Sequence, residues 1–238
     1  MFISGTNFGL LYGIFQGYWR KLYTDNEFRF YTTITIVASI IIGTGLYFSG
    51  WADTEKSFRD ALFQVVSIMT TTGFATVDYL QWSPLLGLIL FLLFFTGACA
   101  GSTAGGFKMI RVYLLFKNSF TELKRLIHPN GVIMVKYNHK SVHPNIMTGV
   151  MGFAILYIII FVLGSLVMAL FADDMLTACS SVISSMRNVG PGLGSIGPMY
   201  TYAPFNEFAK LFLSFLMLVG RLEIFTVMVL FTPSFWKR

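Results

Sequence analysis

The sequence predicts an all-α membrane protein built from two repeats, each an outer helix, a short re-entrant helix and an inner helix. Of its 238 residues 55% are hydrophobic and 12% are charged, about half the charge of an ordinary soluble domain. Four apolar runs approach or exceed the roughly 20 residues that cross a bilayer: residues 30–50, 83–100, 146–171 and 211–231. Four such runs leave too little polar surface to cover a soluble globule.

Twelve of the 17 lysines and arginines fall in three segments, which four membrane spans would place on one face. They are Arg20, Lys21 and Arg29, then Lys108, Arg111, Lys117, Lys124, Arg125, Lys136 and Lys140, and finally Lys237 and Arg238. The positive-inside rule assigns that face to the cytoplasm, which predicts a multi-pass protein of the cytoplasmic (inner) membrane and accounts for the net charge of +6 without a nucleic-acid partner. The opposite face is acidic and either solvates the outer loops or attracts cations.

The order of segments repeats along the chain, which divides it into residues 1–27, 28–142 and 143–238. Each repeat holds an amphipathic stretch, residues 53–70 and 173–186, within which short helices are predicted at 58–70 and 176–186. Helices of ~14 to 18 residues reach only ~21 to 27 Å, so each must enter and leave the membrane on one side. Irregular backbone at that depth is tolerated only beside protein or a water-filled cavity.

A polar or glycine-bearing string follows each short helix. The first string is Thr71, Thr72, Gly73 and Phe74, and the second is Asn188, Val189, Gly190 and Pro191. Extended backbone leaves carbonyl groups unpaired, and a dehydrated cation can replace the water they lose. Glycine permits positive φ, so that successive carbonyls can point the same way. Either string alone would be an ordinary loop, but the same placement in both repeats favours a selectivity filter.

At these residues the sequence resembles the Trk/Ktr/HKT superfamily of potassium transporters, and the likeness covers nearly the whole chain. The strings resemble the filters of that family's third and fourth repeats. Further family marks lie at residues 97–108, 127–130 and 220–225. The resemblance implies passive, selective permeation of K⁺ with no covalent cofactor. The ion ligands would be the backbone carbonyls of Thr71, Thr72, Gly73, Asn188, Val189 and Gly190, with Phe74 and Pro191 completing the filter strings.

Members of this family have four repeats around one pore, whereas this chain has two. The resemblance therefore implies the C-terminal half of such a protein, either a fragment or the product of a split gene. An N-terminal half or a second copy would complete the pore. It further implies a dimer of pore subunits and a cytoplasmic ring of nucleotide-binding regulatory subunits. The basic segment 108–140 is a candidate surface for that ring, or it serves topology alone.

A glycine-rich break in the first inner helix predicts a gate. It contains Gly97, Gly101, Ser102, Thr103, Gly105 and Gly106. Arg221 is expected to be buried in the last apolar helix, where a charge needs a partner. Carbonyls of the break, Ser102 or Thr103 would supply one, while pairing with Glu223 is the structural alternative. The direction of Arg187, just before the second string, is left open.

Other functions are weaker on the sequence. A secondary transporter would need an ionisable group at mid-membrane, for which Arg221 and Glu223 are the candidates. A non-conducting assembly subunit is a third reading. The sequence shows no nucleophile and base that would meet in one cleft, so it does not indicate an enzyme. A metal-ligand spacing is absent among the cysteines and histidines, which are Cys99, Cys179, His128, His139 and His143.

Overall fold

The computed structural model of the chain describes residues 1–129, 131, 133–138 and 140–236. Four residues named above, Asn130, His139, Lys237 and Arg238, lie outside the described residues. The helices in the described part are α1 Phe8–Phe15, α2 Trp19–Thr24, α3 Asn26–Phe48, α4 Thr54–Met69, α5 Pro84–Leu93, α6 Met109–Ile127, α7 Pro144–Met168, α8 Met175–Arg187, α9 Glu207–Arg221, α10 Ile224–Leu230 and α11 Pro233–Trp236. The all-α prediction is confirmed.

One order of elements occurs twice. A long helix (α3, then α7) is followed by a shorter one (α4, then α8), an irregular segment and a further helix (α5, then α9). The short helices match the predicted ones within a few residues, although α4 begins at Thr54, four residues before the prediction, and α8 extends to Arg187. Arg187 is thus helical, and the second string begins only at Asn188.

Capping chemistry fixes where the long helices begin. The Asp25 side chain accepts a hydrogen bond from the Phe28 backbone N–H at 2.9 Å and so caps α3. Proline is the first residue of both α5 and α7, a position that needs no N–H donor and suits its fixed φ. These starts are therefore encoded locally.

Two of the four predicted spans are single uninterrupted helices in the described part of the chain. Helices α3 and α7 are each long and apolar enough to cross a bilayer, and the pair α9 and α10 would be a third span although it bends by 111°. In the run 83–100, α5 stops at Leu93. The helix can end there because the backbone beyond it finds hydrogen-bond partners outside the helix, which an apolar run does not reveal.

The core lies around the two short helices. All but one of the residues 177–187 in α8 are buried, whereas α3 and α7 expose one apolar face. A soluble protein would not leave such faces in water, and they suit contact with lipid.

A small hairpin connects the two repeats. Strands β1 (Lys136–Tyr137) and β2 (Lys140–Ser141) pair antiparallel. Asn138 in the turn donates from Nδ2 to Asp25 Oδ2 at 2.7 Å and accepts at Oδ1 from the Asn26 N–H at 2.9 Å. The hairpin is therefore fastened to the start of α3.

Candidate functional site

The two strings have the same pattern of backbone φ angles. The angle φ is positive at Thr71 (57°) and Gly73 (75°), and again at Asn188 (58°) and Gly190 (106°). The residues between and after them have negative φ. Asparagine adopts the left-handed region fairly often, but a β-branched threonine does so rarely, and such a conformation costs of order 1 to 3 kcal/mol. The sequence predicts positive φ at glycine alone, so the positive φ of Thr71 and Asn188 was not predicted.

This alternation matters because it changes where the carbonyl groups point. Along a regular strand, successive residues face opposite sides, whereas alternating handedness lets neighbouring carbonyls face the same side. No donor among the described residues bonds to the carbonyl oxygens of Thr71, Thr72, Gly73, Asn188 or Val189. These five oxygens are free to bind a cation.

A buried serine in each short helix holds the string that follows. The Ser67 carbonyl accepts from the Thr72 N–H at 3.0 Å, and the Ser184 carbonyl accepts from the Val189 N–H at 3.0 Å. The Ser67 hydroxyl donates to the Phe74 carbonyl at 2.6 Å, and the Ser184 hydroxyl lies 2.9 Å from the carbonyl oxygen of Pro191. Both serines precede their string by four residues, a spacing that the sequence already displays.

Two tyrosines brace the second string from behind. Tyr202 donates its hydroxyl to the Gly190 carbonyl at 2.7 Å, and Tyr79 donates to the Gly192 carbonyl at 2.8 Å. Burial raises the pKa of Tyr202 to about 12 and that of Tyr79 well above its usual value. Both phenols therefore stay protonated and remain donors at neutral pH. Neither tyrosine was singled out from the sequence.

The two strings touch each other at Gly73. A Cβ atom on Gly73 would lie 2.0 Å from the Val189 carbonyl oxygen and 3.1 Å from Cδ of Pro191. Only a residue without a side chain permits this approach. The structure thus brings together the two predicted filter segments, which are more than a hundred residues apart in sequence.

The predicted gate segment forms a closed loop between α5 and α6, here named the gate loop (residues 97–108). At its neck the Gly97 N–H donates to the Phe107 carbonyl at 2.7 Å, and the Met109 N–H donates to the Ala98 carbonyl at 3.0 Å. The chain therefore leaves the helical path and returns to nearly the same point, so the loop is a discrete structural unit.

A buried carboxylate holds both sides of that neck. Glu27 in the first turn of α3 is 2% exposed. Its Oε1 atom accepts from the Ala100 N–H at 2.6 Å and from the Ile110 N–H at 3.1 Å. Glu27 was not considered from the sequence, where it looks like an ordinary charge at a helix start.

The N-terminal segment lies along one flank of the gate loop. The Cys99 N–H donates to the Gly5 carbonyl at 3.0 Å, and the Phe8 N–H donates to the Gly101 carbonyl at 3.1 Å. The Thr103 hydroxyl lies 3.3 Å from the Ser4 carbonyl oxygen. Of the predicted gate residues, Gly101 and Thr103 are exposed and Ser102 is half-buried.

Arg221 contacts the loop, but not from inside an apolar helix. The expectation of a buried Arg221 is wrong, because α9 ends at this residue and leaves it exposed. Its Nη1 atom donates to the Thr103 carbonyl at 2.8 Å, the kind of partner that was expected. A cavity of about 390 Å³ lies between the loop and the end of α9.

Glu223 does not pair with Arg221. Its carboxylate lies 2.8 Å from Nη2 of Arg111 and 3.8 Å from Nζ of Lys108. These contacts connect the start of α10 to the start of α6. The bend between α9 and α10 is therefore attached to the gate loop by Arg221 on one side and by Glu223 on the other.

Gly105 and Gly106 form the buried side of the loop and lie against Arg187. Arg187 points away from the string that it precedes and donates to the carbonyls of Met69 and Leu93. Its direction, left open from the sequence, is thus toward the other repeat.

Comparison with known proteins fixes the family. The family model of the TrkH cation transport proteins matches residues 1–238. The chain belongs to this TrkH family. It is 39% identical over 239 residues to the Trk system potassium uptake protein TrkH of Salmonella typhimurium, covering all of this chain and 49% of the relative. It is 34% identical to the Trk system potassium uptake protein TrkG of Escherichia coli over 99% of this chain and 48% of that protein.

A solved TrkH-family structure has the same fold. The crystal structure of the potassium transporter TrkH from Vibrio parahaemolyticus superposes with a TM-score of 0.92 at 37% identity, over 99% of this chain and 51% of that one. The chain thus spans about half the length of the TrkH-family relatives that it matches.

Proposed function

We propose that this chain supplies half of a potassium-selective pore across the cytoplasmic membrane and is not an enzyme. The observation that carries the proposal is the matched pair of strings, whose alternating backbone leaves carbonyls unbonded and which meet at Gly73. The printed names of its relatives, potassium uptake proteins, support the choice of ion.

In this mechanism K⁺ loses water as it enters the strings, and carbonyl oxygens replace the lost ligands. The unbonded carbonyls of Thr71, Thr72, Gly73, Asn188 and Val189 are the proposed ligands. Phe74, Gly190 and Pro191, whose carbonyls accept from hydroxyl groups, complete the filter strings. No bond is made or broken. The partial negative charge at the end of α4 contributes less than a free helix end would, because the Met69 carbonyl is bonded to the Arg187 guanidinium.

The test is ion flux in liposomes that contain the complete potassium-uptake protein. We expect K⁺ flux to exceed Na⁺ flux severalfold and single-channel recording to show discrete openings. Equal K⁺ and Na⁺ fluxes would remove the selectivity assignment, and turnover without unitary currents would favour a carrier instead.

We further propose that the gate loop, with Gly97, Gly101, Ser102, Thr103, Gly105 and Gly106, controls this pathway and that Arg221 holds it closed. The contact between Arg221 Nη1 and the Thr103 carbonyl supports this role, as does the exposed position of Gly101 and Thr103 on the loop. Small residues let such a loop shift without steric clash.

Arg221→Ala removes the contact with Thr103 and should raise flux in the absence of any regulator. Arg221→Lys keeps a charge but offers a single donor point, so it should give an intermediate flux. Wild-type open probability in a folded Arg221→Ala protein, with and without the regulatory subunits, would make the arginine merely structural.

The rest of the proposed assembly draws on the resemblance to four-repeat transporters and on the match to about half of the relatives' length. A full ring of filter strings requires an N-terminal half or a second copy, and the pore subunits would associate as dimers. The basic surface of α6 and the hairpin is the proposed dock for a cytoplasmic nucleotide-binding ring. Co-purification of that ring with the complete protein, and its loss on charge reversal in α6, is the corresponding test.

A further inference from the structure

Arg187 is the one fully buried arginine among the described residues, and the proposed mechanism does not use it. Its exposure is 0%, and it forms no ion pair with a carboxylate of the described part of the chain. Nη1 donates to the Leu93 carbonyl at 2.8 Å and Nη2 donates to the Met69 carbonyl at 3.1 Å.

A buried charge without a counter-ion is costly, and a guanidinium does not escape the cost by losing its proton. The acceptors explain how the charge is tolerated. Met69 is the last residue of α4 and Leu93 is the last residue of α5. Carbonyls at a helix C-terminus lack an intrahelical partner and are partly negative. The Leu93 carbonyl also accepts from the N–H and the hydroxyl of Thr96, so the guanidinium shares that helix end with Thr96 and adds the end of α4.

These two acceptors belong to the parts of the first repeat that the pathway depends on. Met69 lies two residues before Thr71, where the first string begins, and Leu93 lies four residues before the gate loop. Arg187 itself directly precedes Asn188, the first residue of the second string. The Arg187 side chain, at the end of α8, therefore links the C-terminal ends of α4 and α5.

The gate loop also rests on this residue. A Cβ atom at Gly106 would lie 2.8 Å from Cγ of Arg187, and one at Gly105 would lie 3.1 Å from the Arg187 carbonyl oxygen. A displacement of the loop thus changes the surroundings of Arg187 directly.

We propose that Arg187 is a positioning residue that sets the spacing of the two filter strings and couples that spacing to the gate loop. This inference rests on the proposed function. It assigns to one buried side chain a role in ion discrimination, although the side chain itself does not face the ion.

The first test measures the K⁺ to Na⁺ permeability ratio of the complete protein carrying Arg187→Met or Arg187→Lys. Methionine fills similar space without donors, and we expect the ratio to fall by roughly fivefold or more, a typical size for coupling between sites. Lysine can reach one carbonyl but cannot bridge both, so it should restore part of the ratio. A folded Arg187→Met protein with the wild-type ratio would overturn the proposal.

The second test reaches Arg187 from the loop and has a matched control. Gly106→Ala and Gly50→Ala both place a side chain at positive φ, +72° and +68°. Only the Gly106 substitution presses on Arg187, because nothing lies within 4 Å of a Cβ at Gly50, which is outside the filter strings and the gate loop. Gly106→Ala should lower the K⁺ to Na⁺ ratio and Gly50→Ala should not. In the Arg187→Met background Gly106→Ala should have little further effect on the ratio, since interacting positions are not additive.

The glycine variants test the coupling even if Arg187→Met fails to assemble, because equal ratios in Gly106→Ala and Gly50→Ala contradict it. The control Gly73→Ser separates this inference from the proposed function. If Gly73→Ser lowers the ratio while the Arg187 and Gly106 variants keep it, only the positioning role fails. If the wild-type protein does not prefer K⁺, both fail.

Discussion

Gly73 and Gly190 occupy the same place in their strings but have different surroundings. A Cβ at Gly73 would lie 2.0 Å from the Val189 carbonyl oxygen, whereas nothing lies within 4 Å of a Cβ at Gly190. A side chain at Gly73 must push the neighbouring string, while one at Gly190 meets only the strain of its positive φ. A substitution at Gly73 therefore displaces the other string, whereas one at Gly190 strains only its own backbone.

We expect Gly73→Ser to lower the K⁺ to Na⁺ permeability ratio more than Gly190→Ser, and both to lower it. Strain of about 1 to 3 kcal/mol applies at either position, and the steric clash adds to it at Gly73 alone. Gly149→Ser on α7, where a Cβ also meets nothing within 4 Å, is the control and should keep the wild-type ratio. Unchanged ratios in both filter variants would remove these glycines from the filter.

Ser184→Ala should lower K⁺ selectivity and cost about 1 kcal/mol of stability, the usual net worth of one hydrogen bond. The hydroxyl that it removes lies within hydrogen-bond distance of the carbonyls of Gly190 and Pro191. Ser181→Ala provides the comparison, because that buried hydroxyl donates its hydrogen bond to the Ala178 carbonyl inside α8. Permeability ratios and thermal melting of both variants separate the roles; equal ratios would argue against bracing by Ser184.

The sequence predicts the two filter strings but not how they are held. Glycines in two corresponding strings are readable as sources of positive φ, whereas Thr71 and Asn188 adopt it because Ser67 and Ser184 bond the backbone just beyond them. Arg187 shows the same limit. Its acceptors are backbone carbonyls of another repeat, and no side-chain pattern records such partners.

At the scale of elements, the gate loop is an irregular segment whose polar groups are satisfied by three separate parts of the chain. Glu27 serves the neck, the N-terminal segment serves one flank and Arg221 reaches the other. A loop held at several points can have a defined closed position. Releasing one point should favour other positions.

Glu27→Ala should increase unregulated flux and lower thermal stability. It leaves the N–H groups of Ala100 and Ile110 without their acceptor, at about 1 to 3 kcal/mol for each buried unsatisfied donor. Glu27→Gln keeps an amide oxygen that can occupy the place of Oε1, so its flux and melting temperature should stay much closer to the wild type.

Flux through liposomes and melting of the detergent-solubilised protein provide the two readings. Wild-type basal flux in a stable Glu27→Ala protein would show that the neck does not contribute to closure.

Helix order is predictable from hydrophobic runs, because α3, α4, α7 and α8 lie close to their predicted places. The positions at which helices break are less predictable from the sequence. The run 83–100 reads as one span by hydropathy, yet α5 ends at Leu93 because Gly97 and Phe107 pair across the loop neck. The bend after Arg221 likewise depends on Arg111 and Lys108, which hold Glu223 from another helix.

For the whole molecule, the half-length of the chain limits what it can do alone. In the proposed pore these strings would form two sides of the pathway, and two strings do not enclose an ion. The composition and the motifs at residues 97–108 and 220–225 are sufficient to predict the family and the membrane class. They do not supply the surfaces that another half would cover.

We expect the chain expressed by itself not to restore growth of a potassium-uptake-deficient strain at low K⁺, whereas co-expression with a matching N-terminal half should restore it. Membrane fractionation of the expressed chain checks that failure does not reflect poor insertion. Robust rescue by the chain alone would instead favour a pore made from two copies.

The rhythm of φ along the two strings has a consequence for how such segments diverge. Thr-Thr-Gly-Phe and Asn-Val-Gly-Pro have only the glycine in common, yet positive φ falls at their first and third residues alike. Because the proposed ion ligands are main-chain oxygens, side chains are free to change so long as the torsion angles are kept. Two copies of a segment can thus differ at almost every residue and still share one backbone conformation. A search for further copies should therefore compare dihedral angles before amino-acid identities.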